Sequence, residues 1–221
     1  MRGDTISGQI DPQFNPFAES YVRDIIRAIA LAWSRMRNPP ADEIEDRITF
    51  RLAGRLQNDE DFRELPFDVV PQYWLLDLHG RCLGRLDLRF KHRQSRRDYF
   101  AFEAKRLHVA YPSGFKTEHS VYVGDEGMMC FVTGQYSAGL PHAGMLAYVM
   151  DSDVPRAWEG LSVAVQNNRN SLKLCNGASF IASVFDDVIM TIIATARVAE
   201  TAHEFDNGPM VITHILLPRE T

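Results

Sequence analysis

Arg85-Leu86-Asp87-Leu88-Arg89-Phe90 and Phe100-Ala101-Phe102-Glu103-Ala104-Lys105 are the two stretches whose reading decides the fold. Both alternate apolar and polar side chains with a period of two, as a half-buried β-strand does. In the first, Leu86, Leu88 and Phe90 point one way, and Arg85, Asp87 and Arg89 the other. In the second, Phe100, Phe102 and Ala104 face a core, and Ala101, Glu103 and Lys105 face away from it. The polar residues 91–98 between them read as a hairpin loop. Pairing the strands across that loop brings Asp87, Glu103 and Lys105 onto one polar face.

Outward from this hairpin, the apolar run 72–79, closed by Gly80, predicts a preceding strand. Upstream, Phe17, Tyr21, Val22, Ile25, Ile26, Ile29 and Trp33 recur at helical spacing over 17–37, and Asn38-Pro39-Pro40 ends that helix. A second helix is expected over 41–57, with Ile44, Ile48, Leu52 and Leu56 in one stripe. Downstream, a helix over 125–136 with Asp125 as N-cap, a strand over 143–150 and a helix over 154–167 follow. A closing strand over 209–217 pairs back across the Asp206-Asn207-Gly208 turn. Residues 1–16 lack periodicity and read as a flexible arm, which leaves 17–221 as one domain. The expected class is α/β, with a mixed central sheet flanked by helices.

Composition narrows the function classes. The chain has 221 residues, 45% hydrophobic and 24% charged, the profile of an ordinary globular protein. It has no apolar run of membrane-spanning length and no signal core at its N-terminus, so a cytoplasmic location is expected. Cys82, Cys130 and Cys175 form neither a CxxC knuckle nor an even disulfide set, in keeping with a reducing compartment. A net charge of −5 argues mildly against nucleic acid as a partner, but its distribution argues the other way. Residues 81–106 hold nine Lys/Arg against three acids, and Lys91, Arg93, Arg96 and Arg97 concentrate beside the hairpin as candidate phosphate contacts.

Two carboxylates and an ammonium suit phosphodiester cleavage. A hard divalent cation neutralises the phosphate and takes carboxylate oxygens, here from Asp87 and Glu103. The cation also acidifies a water to give the nucleophile, and Lys105 stabilises charge as it builds on the phosphate. The plain alternative is cross-strand ion pairing on a wet sheet face. The second helix separates the two readings. At 100° per residue Glu45 lies close to the apolar stripe, whereas Glu43 and Asp46 point away. A carboxylate there needs a partner, which the metal or Lys105 would provide; otherwise Glu45 is a helix N-terminal charge.

Other residues are weaker candidates. Asp77, on the preceding strand, rivals Asp87 for the metal. His203 and His214 read as hydrogen-bonded structural groups. Gln135 and Tyr136 either reach the scissile phosphate or cap a helix. Trp33, Trp74 and Trp158 suit core packing.

The order helix, three strands, helix, strand, with Asp87 on one strand and Glu103-Ala104-Lys105 on the next, resembles the PD-(D/E)xK superfamily of restriction-endonuclease-like nucleases over residues 41–150. Phe131-Val132-Thr133-Gly134-Gln135-Tyr136-Ser137, followed by Gly144-Met145-Leu146-Ala147-Tyr148-Val149, is similar to a subgroup of small bacterial proteins associated with phage defence. The resemblance implies a restriction-endonuclease-like core. It implies Mg²⁺, with Mn²⁺ as a substitute, held by Asp87, Glu103 and the carbonyl of Ala104. Lys105 would be the catalytic lysine, and Glu45 would join the site from the first core helix. It further implies a DNA endonuclease of anti-phage defence, acting as a homodimer or beside a partner subunit. Leu86 stands where the motif has proline. The alternatives are a catalytically silent nucleic-acid-binding or protein-interaction module, and a metal-dependent hydrolase of small phosphoesters, which would want a closed pocket.

Overall fold

The computed structural model describes residues 19–77, 79–94, 99–136, 140–205 and 208–219. The expected arm, Phe17, Arg96, Arg97 and most of the Asp206-Asn207-Gly208 turn lie outside them. Two helices come first, α1 (Glu19–Ser34) and α2 (Glu45–Gln57), then the short α3 (Glu60–Glu64). An antiparallel meander follows, β1 (Phe67–Leu76), β2 (Cys82–His92) and β3 (Tyr99–Leu107). A small hairpin, β4 (Val109–Tyr111) and β5 (Gly114–Lys116), leads into the one-turn helices α4 (His119–Val123) and α5 (Met129–Val132). The chain re-enters the sheet as β6 (His142–Val149) and leaves it through α6 (Val154–Asn167). The remaining elements are β7 (Ile181–Ala182), α7 (Asp186–Met190), β8 (Arg197–His203) and β9 (Met210–Pro218).

Among the described residues the strands form one seven-stranded sheet in the order β1-β2-β3-β6-β9-β8-β7, parallel at β3–β6 and β6–β9 and antiparallel elsewhere. This is the expected α/β class with a large mixed sheet flanked by helices. One core packs α1, α2 and α7 against Leu88, Phe90, Phe100, Phe102 and Ala104. The other packs α4, α5 and α6 against Ala101, Met145, Ala147 and Leu216. No helix among the described residues is long and apolar enough to cross a membrane.

Three local expectations are corrected. The second helix begins at Glu45 and not at residue 41. Pro40 accepts a hydrogen bond from Glu43 N in a turn, and Ile44 is an extended, exposed N-cap outside the apolar stripe. Of the helix expected over 125–136 only the single turn α5 (Met129–Val132) forms; residues 124–128 make a tight turn that links it to α4, and Asp125 caps neither helix. At that turn a Cβ on Gly127 would collide with the carbonyl of Tyr122, which accepts Met128 N at 2.9 Å. Trp74 is 58% exposed on the edge strand β1, not packed in the core, whereas Trp33 stacks on Tyr148 and donates to Pro218 O.

His203 and His214 join the last hairpin to α4. His203 Nδ1 donates to Leu172 O at 2.6 Å, which makes its Nε2 an acceptor for the Thr201 hydroxyl at 2.7 Å. Thr201 Oγ1 then accepts from His214 Nε2 at 2.9 Å, and His214 Nδ1 accepts from the Tyr122 hydroxyl at 2.9 Å. Each group in this buried chain is satisfied only if both imidazoles are neutral. Burial lowers both histidine pKa values, with His203 a further cause at His214. A lowered folded pKa contributes stability above the ordinary value near 6.5, and that stability is lost as pH falls through the folded value. Urea titrations of wild type and of the His203→Gln/His214→Gln double variant, which cannot take up those protons, should therefore show wild type losing stability relative to the variant from pH 7 to pH 5; a constant difference would show that the network does not titrate.

Candidate active site

The site forms where β2 and β3 part. Their ladder runs Lys91↔Tyr99, Phe90↔Phe100, Arg89↔Ala101 and Leu88↔Phe102, and stops there. At the next position the carboxylate of Asp87 enters the gap, and its Oδ2 accepts the backbone N–H of Ala104 at 2.8 Å. Across β1, Gln72 adopts a left-handed φ of 52° and donates from Nε2 to Asp87 Oδ1 at 3.0 Å. Alternation breaks at this point. Leu88 and Phe90 enter the core under α2, but Leu86 enters the one under α5, and Arg85 reaches α2 to meet Asp46 at 3.2 Å. The strict alternation expected over 85–90 therefore holds only from Asp87 onward.

Lys105 is the hub. Its Nζ donates to Glu103 Oε1 at 2.8 Å, to Ala104 O at 2.7 Å and to Glu45 Oε1 at 3.1 Å. Glu45 Oε2 accepts the backbone N–H of Arg106 at 2.9 Å. Glu45 is the first residue of α2, so both readings of it hold: it lies in the first turn, and its carboxylate is a partner of Lys105. The four residues predicted from the sequence are thus brought together, and not on a wet face. Asp87, Glu103 and Lys105 are 4%, 6% and 8% exposed, which removes the surface ion-pair reading.

Burial sets the electrostatics. Desolvation pushes the Glu103 carboxyl well up, Asp87 adds to the shift and Lys105 opposes it. Desolvation also raises Glu45, against Lys105 and with Asp87. Burial alone would lower Lys105, but Glu103, Glu45 and Asp87 more than reverse that and hold it charged. Glu103 faces α5, where burial and then Glu103 push the Cys130 thiol up to about 11. That thiol stays protonated and inert.

Oxygen acceptors exceed donors here. Glu103 Oε2 and Gln72 Oε1 are both buried without a hydrogen-bond partner, and Glu45 and Glu103 share one ammonium with Asp87 close by. Such a donor set fits a hard divalent cation, which takes oxygen ligands. Among the described residues no three His, Cys, Asp or Glu side chains already converge to hold a metal. The reason is local: the Lys105 ammonium bridges Glu45 and Glu103, and Asp87 is turned to the backbone of β3. A cleft of about 370 Å³, lined by Glu45, Asp46, Lys105, Arg106, Tyr111 and Glu118 among others, connects Lys105 to solvent.

Asp77 is not a rival. It closes the β1–β2 turn, accepting from His79 N and Arg81 N and pairing with Arg81 Nε at 2.6 Å. Gln135 and Tyr136 bond the backbone of β2 at Leu83 O and Arg85 O, the structural role. Lys91 belongs to β2 and not to the loop; opposite Tyr99, it lies six residues along the hairpin from Lys105, about 20 Å at 3.3 Å per residue. Arg93 is tied down by Asp68 Oδ1, Arg63 O and Phe67 O, each at 3.1 Å. Gln72 and Asp46 escaped the sequence reading. The one hint was a glutamine at the head of the largely apolar run that follows it in β1.

No family model, curated protein or solved structure matches the chain.

A carboxyl with a raised folded pKa contributes stability below its ordinary value, and loses that contribution as pH rises through the folded value. Ionised Glu103 therefore costs stability at pH 8 and little at pH 5. Glu103→Gln should raise the melting temperature at pH 8 by roughly 2–4 °C, corresponding to about 1 kcal/mol, with the gain shrinking toward pH 5. A variant less stable than wild type at pH 8 would show that the Lys105 contact outweighs the desolvation.

Proposed function

We propose that the protein is a metal-dependent nuclease of the PD-(D/E)xK type, acting on DNA. The observation that carries the reading is the convergence of Asp87, Glu103, Lys105 and Glu45 in one buried cluster, with acceptor oxygens left without donors. The chain order around it supports the restriction-endonuclease-like core: α2, then the β1–β2–β3 meander bearing the acids, then helical turns and the parallel strand β6.

Asp87 and Glu103 would hold Mg²⁺ or Mn²⁺, with the Ala104 carbonyl as a further oxygen. When bound, the cation would screen the phosphate and acidify a water. Asp87 is oriented for this by Gln72 and by the Ala104 N–H, which fix its carboxylate without neutralising it. Lys105 supplies a fixed positive charge near the phosphate, and a charge already oriented needs no reorganisation as the transition state forms. Glu45 positions that ammonium from the helix side. The hairpin that carries the site extends about 20 Å to Lys91, a span that suits a polymer better than a small phosphoester.

Plasmid and single-stranded DNA should be cut in Mg²⁺ or Mn²⁺ and left intact in EDTA. Asp87→Asn, Glu103→Gln and Lys105→Met should each lower the rate by roughly 10²–10³-fold with the fold intact, and Glu45→Gln by less. Full cleavage by a folded Lys105→Met protein would overturn the reading.

A further inference from the structure

Arg89 is a buried cation that no carboxylate among the described residues offsets. It sits on β2, two residues beyond Asp87, and is 7% exposed. Its Nε is buried without a hydrogen-bond partner. No carboxylate or carbonyl among the described residues pairs with its guanidinium. What holds it is aromatic: Cζ lies 4.2 Å from the ring centre of Tyr73 and 4.4 Å from that of Tyr99. The guanidinium is thus clamped between two rings. Stacking of this kind recovers part of the lost hydration and fixes the group in place, but gives its N–H donors no acceptor. A buried cation without a counter-ion is unfavourable, and proteins usually pair or delete one.

Its position suggests what the missing acceptor is. Arg89 faces Ala101 across the ladder, and Ala101 and Glu103 share a face of β3. Arg89 therefore shares the face of the candidate active site, about 7 Å along the strand from Asp87. Lys91 follows at the same spacing and on the same face, opposite Tyr99. Two cations at regular intervals lead away from the carboxylates along one face. A linear polyanion would meet them in turn. Arginine presents a planar fork that takes two oxygens of one phosphate, and aromatic stacking holds such a fork in a fixed orientation.

We infer that Arg89, clamped between Tyr73 and Tyr99, is a phosphate subsite that grips the nucleic-acid backbone beside the scissile position. This rests on the nuclease reading. It assigns Arg89 to substrate binding, with Tyr73 and Tyr99 as positioning residues. It also accounts for the retention of a buried charge that stability alone would remove.

The test measures anisotropy of a fluorescein-labelled DNA duplex across a salt series in EDTA, together with thermal melting in inorganic phosphate, using the full chain. Arg89→Met should fold and melt at or above the wild-type temperature, because an apolar side chain replaces an unpaired charge. It should bind the duplex about tenfold more weakly, with the slope of log affinity against log salt flatter by about one unit. Arg89→Lys, which keeps the charge but loses the planar fork, should fall between the two. Tyr73→Leu should weaken binding severalfold with the charge still present, and it carries the test with Arg89→Lys if Arg89→Met fails to fold. Wild-type affinity and salt slope in Arg89→Met would overturn the subsite while leaving the nuclease reading intact. If the wild type neither binds nor cuts DNA, the nuclease reading falls. Phosphate that then stabilises wild type but not Arg89→Met retains an anion site of another substrate class, and an equal response in both removes the subsite as well.

Discussion

One ammonium among three carboxylates, all largely withdrawn from water, is the constraint around which this structure is arranged. Lys105 touches Glu103, Glu45 and the Ala104 carbonyl, while Asp87 lies alongside, bonded to the Ala104 N–H. Like charges at this range in a poorly solvated site repel strongly, and a single cation does not offset three anions. The fold nevertheless builds the cluster from several elements. The N-terminal turn of α2 delivers Glu45, the separation of β2 from β3 admits Asp87, and the left-handed turn of Gln72 brings an amide to it. Stability alone does not account for such an arrangement; the proposed cation binding and phosphate chemistry would.

The elements most legible in the sequence were those whose periodicity was long and uninterrupted. The helix over 154–167 and the strands around Asp87, Glu103 and residues 143–150 were visible because burial on a defined face imposes a repeat. Glu45 was legible for the same reason, since helical geometry alone places it beside the buried stripe. What could not be read was set by contacts between distant segments. The break of alternation at Asp87 depends on the conformation of Gln72, and no pattern within β2 announces it. The helix expected over 125–136 shrinks to the single turn α5, because the Gly124–Gly127 turn before it brings Met128 N onto Tyr122 O. Arg89 read as one charge in a basic run, and only the rings of Tyr73 and Tyr99, on neighbouring strands, distinguish it.

The cleft end of the hairpin carries Glu45, Asp46 and Glu118 beside Lys105 and Arg106, and the other end carries Arg89 and Lys91, with Asp68 across from Lys91. On the proposed nuclease reading, a phosphate at the acidic end would need a cation, whereas phosphates further along would meet arginine and lysine directly. The net charge of −5 therefore says little about the partner, because the local distribution decides what the hairpin attracts.

The central claim, that the carboxylates around Lys105 form a divalent-cation site, is tested most directly by titrating Mn²⁺ into ¹⁵N-labelled protein and following paramagnetic broadening of backbone amides. The account predicts that the amides of Asp87, Ala104, Lys105 and Arg106 broaden first, at substoichiometric metal, and that Asp87→Asn abolishes the selectivity. Broadening that begins instead at the exposed acids of residues 59–64, or that Asp87→Asn leaves unchanged, would contradict it.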